Sequence, residues 1–434
     1  MHPCAKRLRA WRALALGALL GIGQAAAAAG PGGPSVLEEE AAVRAALADS
    51  AALEAARQRA AAMAAVPPQA GTLPDPVLRF NAMNVPVDTF DLDQEAMTQF
   101  QLGFVQPVPF PGKLALRRAA AEHEAEAAAV SVEEVQLRLE RDVRVAWWRL
   151  HHLDRALEVV ERNQTLMRQL VEVAQAAYRV GKGLQQDVLL AELELSRLLD
   201  LELRLRRQRR DAEARLNALL NRPADTPVRL PRREPGTLPA APAEEALYEI
   251  ADARRPLLRA LAARVRAAER RHELARRDLL PDFTVGATYG LRLDAPGGRE
   301  RPDFLSVMVG VKLPLYADTK QRRAIDQRNA ELMRMRSLLE DARQRVRAEI
   351  AQALASYREA LGQLELLDRG ILPQARQTLA AMLAAYQVGK VDFLNVVRAQ
   401  ITLYNHELRQ WEMQSAAHQA LARLAAATGK EIQR

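Results

Sequence analysis

Ala177-Tyr178-Arg179-Val180-Gly181-Lys182 and Ala385-Tyr386-Gln387-Val388-Gly389-Lys390 open two copies of one segment, set 208 positions apart. The copies cover 177–221 and 385–429 without a gap and agree at 13 of 45 positions. Val188, Ala191 and Leu195 match Val396, Ala399 and Leu403. Ala212, Ala214, Arg215, Leu216 and Ala218 match Ala420, Ala422, Arg423, Leu424 and Ala426. Shared Ala and Leu are expected between two helices of this composition. Composition alone does not place Tyr-x-Val-Gly-Lys at both starts. The chain is therefore a duplicated unit, to be read as two equivalent halves.

Upstream of the first copy, Lys113 to Arg179 is 67 residues without Pro or Gly, which as helix is about 100 Å. Its counterpart, 320–387, is interrupted only around Gly362, Gly370 and Pro373, and the patterning on both sides of Pro373 predicts a kink. Val135, Leu139, Val143, Ala146, Leu150, Leu153, Leu157 and Val160 step by fours and threes, a coiled-coil seam. A second seam runs through Val145, Trp148, His152, Ala156, Val159, Asn163, Leu166, Leu170 and Val173. Two seams on one helix predict a neighbour on each flank. Return helices are expected over 185–220 and 393–428, half the length of the outgoing legs. Helices over 37–63 and 244–279 complete them. The halves are thus 29–220 and 244–434, joined by a proline-rich strap, 221–243.

Ahead of each long helix lie two strand-like runs, 76–87 and 99–110 in the first half, 282–292 and 303–314 in the second. Seven of the eight Phe residues fall between 80 and 110 or at 283 and 304. Aromatic crowding in short alternating runs marks strands. Four strands are too few to close a barrel, and open edges are not tolerated in a bilayer. If the strands span a membrane, assembly is required. Three chains would supply twelve strands and twelve helical legs.

Residues 1–28 have the form of a secretory signal peptide. Lys6, Arg7, Arg9 and Arg12 precede a short apolar run from Ala13 to Ile22 and small residues at Ala25–Ala29. The run is too short for a transmembrane anchor. The one cysteine, Cys4, lies in the charged start and lacks a lipoprotein context, so no disulfide or lipid anchor is expected after cleavage. The peptide takes four of the eight net positive charges with it. What remains, with no basic patch interleaved with aromatics, gives no indication of nucleic-acid binding.

The chain resembles TolC-like outer-membrane efflux proteins over essentially its whole length after the signal peptide. The resemblance lies in the duplicated Tyr-x-Val-Gly turn, followed by Asp187 or Asn395 and an Ala-x-x-x-Leu helix. It lies also in the junctions Val108-Pro109-Phe110-Pro111-Gly112-Lys113 and Leu313-Pro314-Leu315-Tyr316-Ala317. Met83-Asn84-Val85-Pro86-Val87-Asp88 through Gly112 is most similar to members of the heavy-metal efflux branch. The resemblance implies a mostly α protein with a small membrane β-barrel. A trimeric, twelve-stranded outer-membrane barrel would continue into a periplasmic α-helical tunnel. It implies a passive channel that receives cargo from an inner-membrane pump through a periplasmic adaptor. It assigns adaptor contact and the tunnel entrance to Val180, Gly181, Lys182, Asp187, Val388, Gly389, Lys390, Asp392 and Asn395. Asn395 and Arg398 stand where many relatives carry carboxylates.

The sequence has no Gly-rich phosphate loop, nucleophile elbow or His-Glu-x-x-His, so no enzyme and no cofactor is expected. Glu122-His123-Glu124 and His151-His152 are the clusters worth testing as metal ligands, but neighbours on a helix do not face each other. Gly181 and Gly389 are what a tight helical hairpin requires whatever docks there. The acidic run Asp88, Asp91, Asp93, Glu95 is expected in an extracellular loop. Two rival readings remain, a periplasmic adaptor and an exported structural coiled coil. The adaptor should have one hairpin, and the coiled coil has no use for two pairs of aromatic strands.

Overall fold

The computed structural model describes residues 36–232 and 238–429. The signal peptide expected over 1–28, and parts of the strap and C-terminus, lie outside them. Ten helices, among the described residues, are arranged about one four-stranded sheet. The axis of the molecule is α4 (Lys113–Arg179), a single unbroken helix. At the sheet-distal end it turns back into α5 (Gln185–Leu219). The second half repeats this with α8 (Gln321–Leu366), a π-helical turn over Leu367–Ile371, α9 (Leu372–Gln387) and α10 (Phe393–Thr428). The π turn stands where a kink is expected. Pro373 has no N–H and its ring crowds the carbonyl four residues back. Just ahead of it, Leu372 N–H reaches back five residues to the Leu367 carbonyl.

Two expected helices are each broken in two. The helix over 37–63 is α1 (Glu39–Asp49) and α2 (Ala51–Ala64), followed by the short α3 (Val66–Gly71). Ser50 interrupts it in an extended conformation and caps α2 by accepting the Leu53 N–H at 3.2 Å. The helix over 244–279 is α6 (Glu244–Arg254) and α7 (Pro256–Arg277). Arg255, which precedes a proline, is pushed out of the helical region to ψ 117°. Beyond these breaks α1 packs on α4, and α6 packs on α8 and α10.

In the half next to the sheet, α4 is flanked by α2 and α3 on one side and α7 on the other. In the distal half its flanks are α5 and α10, and α8 lies beyond α7 and α10. Among the described residues there are two cores, the first of which also takes in Phe393, Val397 and Tyr404 of α10. Val143, Trp147, Leu150 and Leu153 of α4 bury with Ala42, Val43 and Ala46 of α1 and with Leu198 and Leu216 of α5. Ile350, Leu354 and Tyr357 of α8 bury with Leu247 and Ala251 of α6 and with Ala417 and Leu424 of α10. The start of α1 and the strap form a belt at this level. Leu37 N–H donates to Arg229 O at 2.8 Å, and Trp147 Nε1 donates to Leu37 O at 2.9 Å. On α5, Arg209 Nη2 reaches Val228 O, Asn217 Nδ2 reaches Thr226 O, and Glu213 accepts the Val228 N–H.

The sheet is antiparallel in the order β1 (Val77–Met83), β2 (Gln99–Val108), β3 (Asp282–Leu291), β4 (Phe304–Lys312). All four strands are shorter than expected, and β1 is shortened most. The run over 76–87 stops at Met83, because Asn84 turns to φ +54° and Pro86 cannot donate to a ladder.

Candidate functional site

The register gathers apolar residues on one face of the sheet. Phe80, Leu102, Tyr289 and Leu305 stand opposite one another in turn across the four strands, as do Leu78, Phe104, Ala287 and Val307. Phe80, Leu305 and Val307 are each more than 70% exposed. The other face is mixed, with Asn81, Gln101, Gly290 and Phe304 in one row, Arg79, Gly103, Thr288 and Ser306 in the next, and Val77, Val105, Gly286 and Met308 beyond. A monomer in water does not expose an apolar face of this extent. Strands of seven to ten residues approach the 9–11 that a tilted transmembrane strand needs. Among the described residues no helix is long and apolar enough to cross a membrane.

The junction between sheet and helices is tied by a buried cation. Lys113, 2% exposed, donates from Nζ to Asp282 Oδ1 at 2.8 Å and to Leu280 O at 3.0 Å, with Asp278 at 3.3 Å. Asp282 also accepts the Phe110 N–H, and the Phe110 and Phe283 rings stack 6.3 Å apart. Gly112 enters α4 at φ +91°, and an added Cβ would lie 2.1 Å from Arg277 Nη1. Both halves of the chain are locked at this point.

At the other end the two hairpin turns are built alike. Gly181 and Gly389 sit at φ +75° and +72°. Lys182 N–H returns to Ala177 O and Lys390 N–H to Ala385 O, both at 2.9 Å. Val180 and Val388 are 68% and 67% exposed. The first turn has a second glycine, Gly183, where an added Cβ would come within 2.9 Å of Ala177 Cβ. Asp187 closes this turn by accepting the Leu184 N–H at 3.4 Å. In the second turn Asp392 leads into α10 from an extended conformation, and its carbonyl accepts the Asn395 N–H at 3.0 Å. The turns stand side by side. Burial, and then the charge of Asp187 on the first turn, raise the Tyr386 hydroxyl pKa on the second. Tyr386 packs edge-on to the buried Phe393 ring at 5.6 Å. So Val180, Gly181, Lys182 and Asp187 form one exposed end with Val388, Gly389, Lys390, Asp392 and Asn395.

The histidine clusters are occupied otherwise. His123 contacts Glu126 at 3.2 Å, while Glu122 and Glu124 pair with Arg118 and Arg271. His151 stacks on Trp147 at 5.3 Å, and burial drives the His152 pKa down to about 4. No group of three or more His, Cys, Asp or Glu able to hold a metal is present among the described residues. The acidic run of the β1–β2 loop is braced by Arg301, whose Nη1 donates to Asp93 O and Glu95 O. Sequence reasoning missed Glu134 and Arg255, a buried pair at 3.0 Å between α4 and the α6–α7 break. Only the pre-proline break at Arg255 hinted at it.

Sheet, junction and paired turns together define an outer-membrane channel of barrel-and-tunnel type. The comparisons bear this out. The chain belongs to the outer membrane efflux protein family, which it matches over residues 37–222 and 247–430. No curated protein matches it in sequence. Its fold is similar to that of the outer-membrane channel OprN, with TM-score 0.77 at 18% identity, over 90% of this chain and 89% of that one. VceC of Vibrio cholerae gives 0.76 at 20% identity over 91% and 97%, and CusC gives 0.74 at 17% over 91% and 92%. The fold is that of the trimeric efflux channels, a barrel with four strands from each chain above a long helical tunnel.

Proposed function

We propose that the protein works as a homotrimer, as the exit duct of a tripartite efflux system. It would conduct cargo passively from an inner-membrane pump and a periplasmic adaptor. The observation that carries this is the sheet, apolar and exposed on one face and mixed on the other, with β1 and β4 unpaired at its edges. Unpaired edges cannot remain in a bilayer, and more copies of the same sheet close them. The turns lie at the far end of helices about 100 Å long, so they are the part able to meet a periplasmic partner. Lys182, Lys390, Asp187 and Asp392 are the charged groups there. Two hairpins under one sheet favour this reading over a single-hairpin adaptor, and the apolar sheet favours it over a structural coiled coil. Heavy-metal cations, the cargo implied by the resemblance over 83–112, are the narrower form of the proposal.

Detergent-solubilised protein should have the mass of three chains and open channels in planar bilayers. A monomer that keeps its full strand content would overturn the proposal. Charge reversal at Lys182 or Lys390 should weaken adaptor binding and leave the trimer intact.

A further inference from the structure

The duplication contains a matched pair that conduction and docking do not use, Arg215 on α5 and Arg423 on α10. The fold brings both to one groove of about 830 Å³, which crosses α4 at Arg141 and Arg149. The carboxylates lining it are Asp142 and Asp211. Asp142 is held by Arg141 at 2.8 Å, and Asp211 by Arg207, outside the groove, at 2.7 Å. Among the described residues no carboxylate lies within ion-pair distance of Arg149, Arg215 or Arg423. Arg149 and Arg423 reach only the amide oxygens of Gln208 and Gln419, at 3.4 and 3.3 Å. Arg117, Arg168, Arg179, Arg210 and Arg398 of these helices also have no carboxylate among the described residues within ion-pair distance, so what sets Arg149, Arg215 and Arg423 apart is that they converge on one groove. A neighbouring cavity that shares Arg149 and Arg423 is lined by Glu359 and Glu412.

A buried cation beside the groove gives a second, independent observation. A cavity of about 410 Å³ shares Arg141 and Arg423 with it and is lined also by Arg255, with Glu349 as its carboxylate. Arg255 is 2% exposed, and its Nη2 binds Glu134 Oε1, yet its Nε and Nη1 have no hydrogen-bond partner among the described residues. Unsatisfied guanidinium donors at this depth cost free energy unless a ligand or water meets them.

The side of the helix layer follows from period. Trp147 of α4 faces the belt. At 100° per residue, Val145 and Arg149, which line the groove, come up about 160° and 200° away from it. On α5, Arg209, Glu213 and Asn217 bond the strap, whereas Arg215 lines the groove. A belt inside the ring of helices would fill the duct, so on the channel reading it lies outside and the arginines on the opposite side of α4 and α5 look inward. This step rests on the channel reading above. Three such arginines in each of three chains would set nine around one level of the duct.

We infer that this groove is an anion site, which takes solutes bearing carboxylate or phosphoryl groups and makes the tunnel selective for anions. Guanidinium forks suit such groups bidentately. A protein-walled cleft in which four arginines outnumber two carboxylates concentrates anions. The site favours anionic cargo over bare hydrated metal cations, against what residues 83–112 imply.

Reversal potentials of the purified protein in planar bilayers, across a KCl gradient, test it. The parent should pass chloride in preference to potassium, and R149Q/R215Q/R423Q should lower that ratio about threefold or more. R149K/R215K/R423K, which keeps the charge, should retain it. The preference should shrink in 1 M salt, where the screening length is about 3 Å. A cation-selective parent, or a Gln variant indistinguishable from it, overturns the anion site and leaves the channel standing. If the parent opens no channels, the duct reading fails, and equilibrium binding of pyrophosphate to the solubilised protein decides the site. Affinity about tenfold weaker in the Gln variant supports it, and equal affinity in both overturns it.

Discussion

The two long legs of the molecule span equivalent stretches, Lys113–Arg179 and Gln321–Gln387, set 208 positions apart like the turns they lead to. They reach the same end by different local means. The first is one helix. The second is a 46-residue helix, a five-residue π turn and a 16-residue helix. Gly362, Gly370 and Pro373 of the second leg stand where the first has Asp154, Arg162 and Thr165. Both legs must bury a stripe against the same kind of neighbours and deliver a glycine turn to one exposed end. Duplication preserved that requirement and left the local route free. The difference shows that long-range packing sets the length and phase of each leg, while local chemistry decides where a leg is regular.

The severest way to break the comparison is to give the first leg the second leg's proline. Thr165 is exposed, so Thr165→Pro removes little packing. It deletes the backbone bond to the Glu161 carbonyl and drives the ring against that oxygen, at a cost of about 3 kcal/mol or more. Trimer yield and thermal midpoint should fall sharply. A variant that assembles like the parent would show that α4 can form a π turn of its own, and the contrast between the legs would vanish.

The turns, by contrast, should respond alike. Gly181 and Gly389 have nearly the same positive φ, and an added Cβ meets nothing within 4 Å at either. Gly181→Ala and Gly389→Ala should therefore each cost about 1–2 kcal/mol of backbone strain and nothing from clashes. Thermal midpoints of the two variants should agree. Unequal losses would mean that the neighbouring Asp187 and Tyr386, rather than the turn itself, carry the difference.

Much of this architecture was legible because its signals are local. A 67-residue span free of Pro and Gly, aromatic alternation at the strands and a repeated Gly turn each act over a few residues. The breaks at Ser50 and Arg255 have local signatures, an N-cap residue and a pre-proline residue, yet the helices expected over 37–63 and 244–279 run through both. Arg215 and Arg423 were visible as a matched pair. Their common groove was not, because it depends on which faces of α4, α5 and α10 converge. Nor was the pairing of Glu134 with Arg255, which are 121 residues apart in sequence. The π turn has no sequence signature of its own, and Gly370 and Pro373 foretell a kink just as well.

The smallest change sharpens the comparison most. Pro373→Ala restores an N–H worth about 0.5–1.5 kcal/mol if it is bonded. It also loosens the unfolded chain, which costs about 0.4–1 kcal/mol. The net change should lie within about 1 kcal/mol of zero. What matters is whether the π turn survives. If proline alone created it, Leu367–Ile371 should relax to regular helix and turn α9 by one residue, about 100°. That rotation would carry Leu372 and Ala375 out of the core and Tyr386 away from Phe393. Exposing buried side chains costs about 1.5–3 kcal/mol for a leucine alone, more than one regular hydrogen bond returns. The turn should therefore persist in the variant, with hydrogen exchange at 367–372 and adaptor binding at the second turn unchanged. Slower exchange there, together with a displaced Tyr386, would show that the proline sets the phase of the second leg.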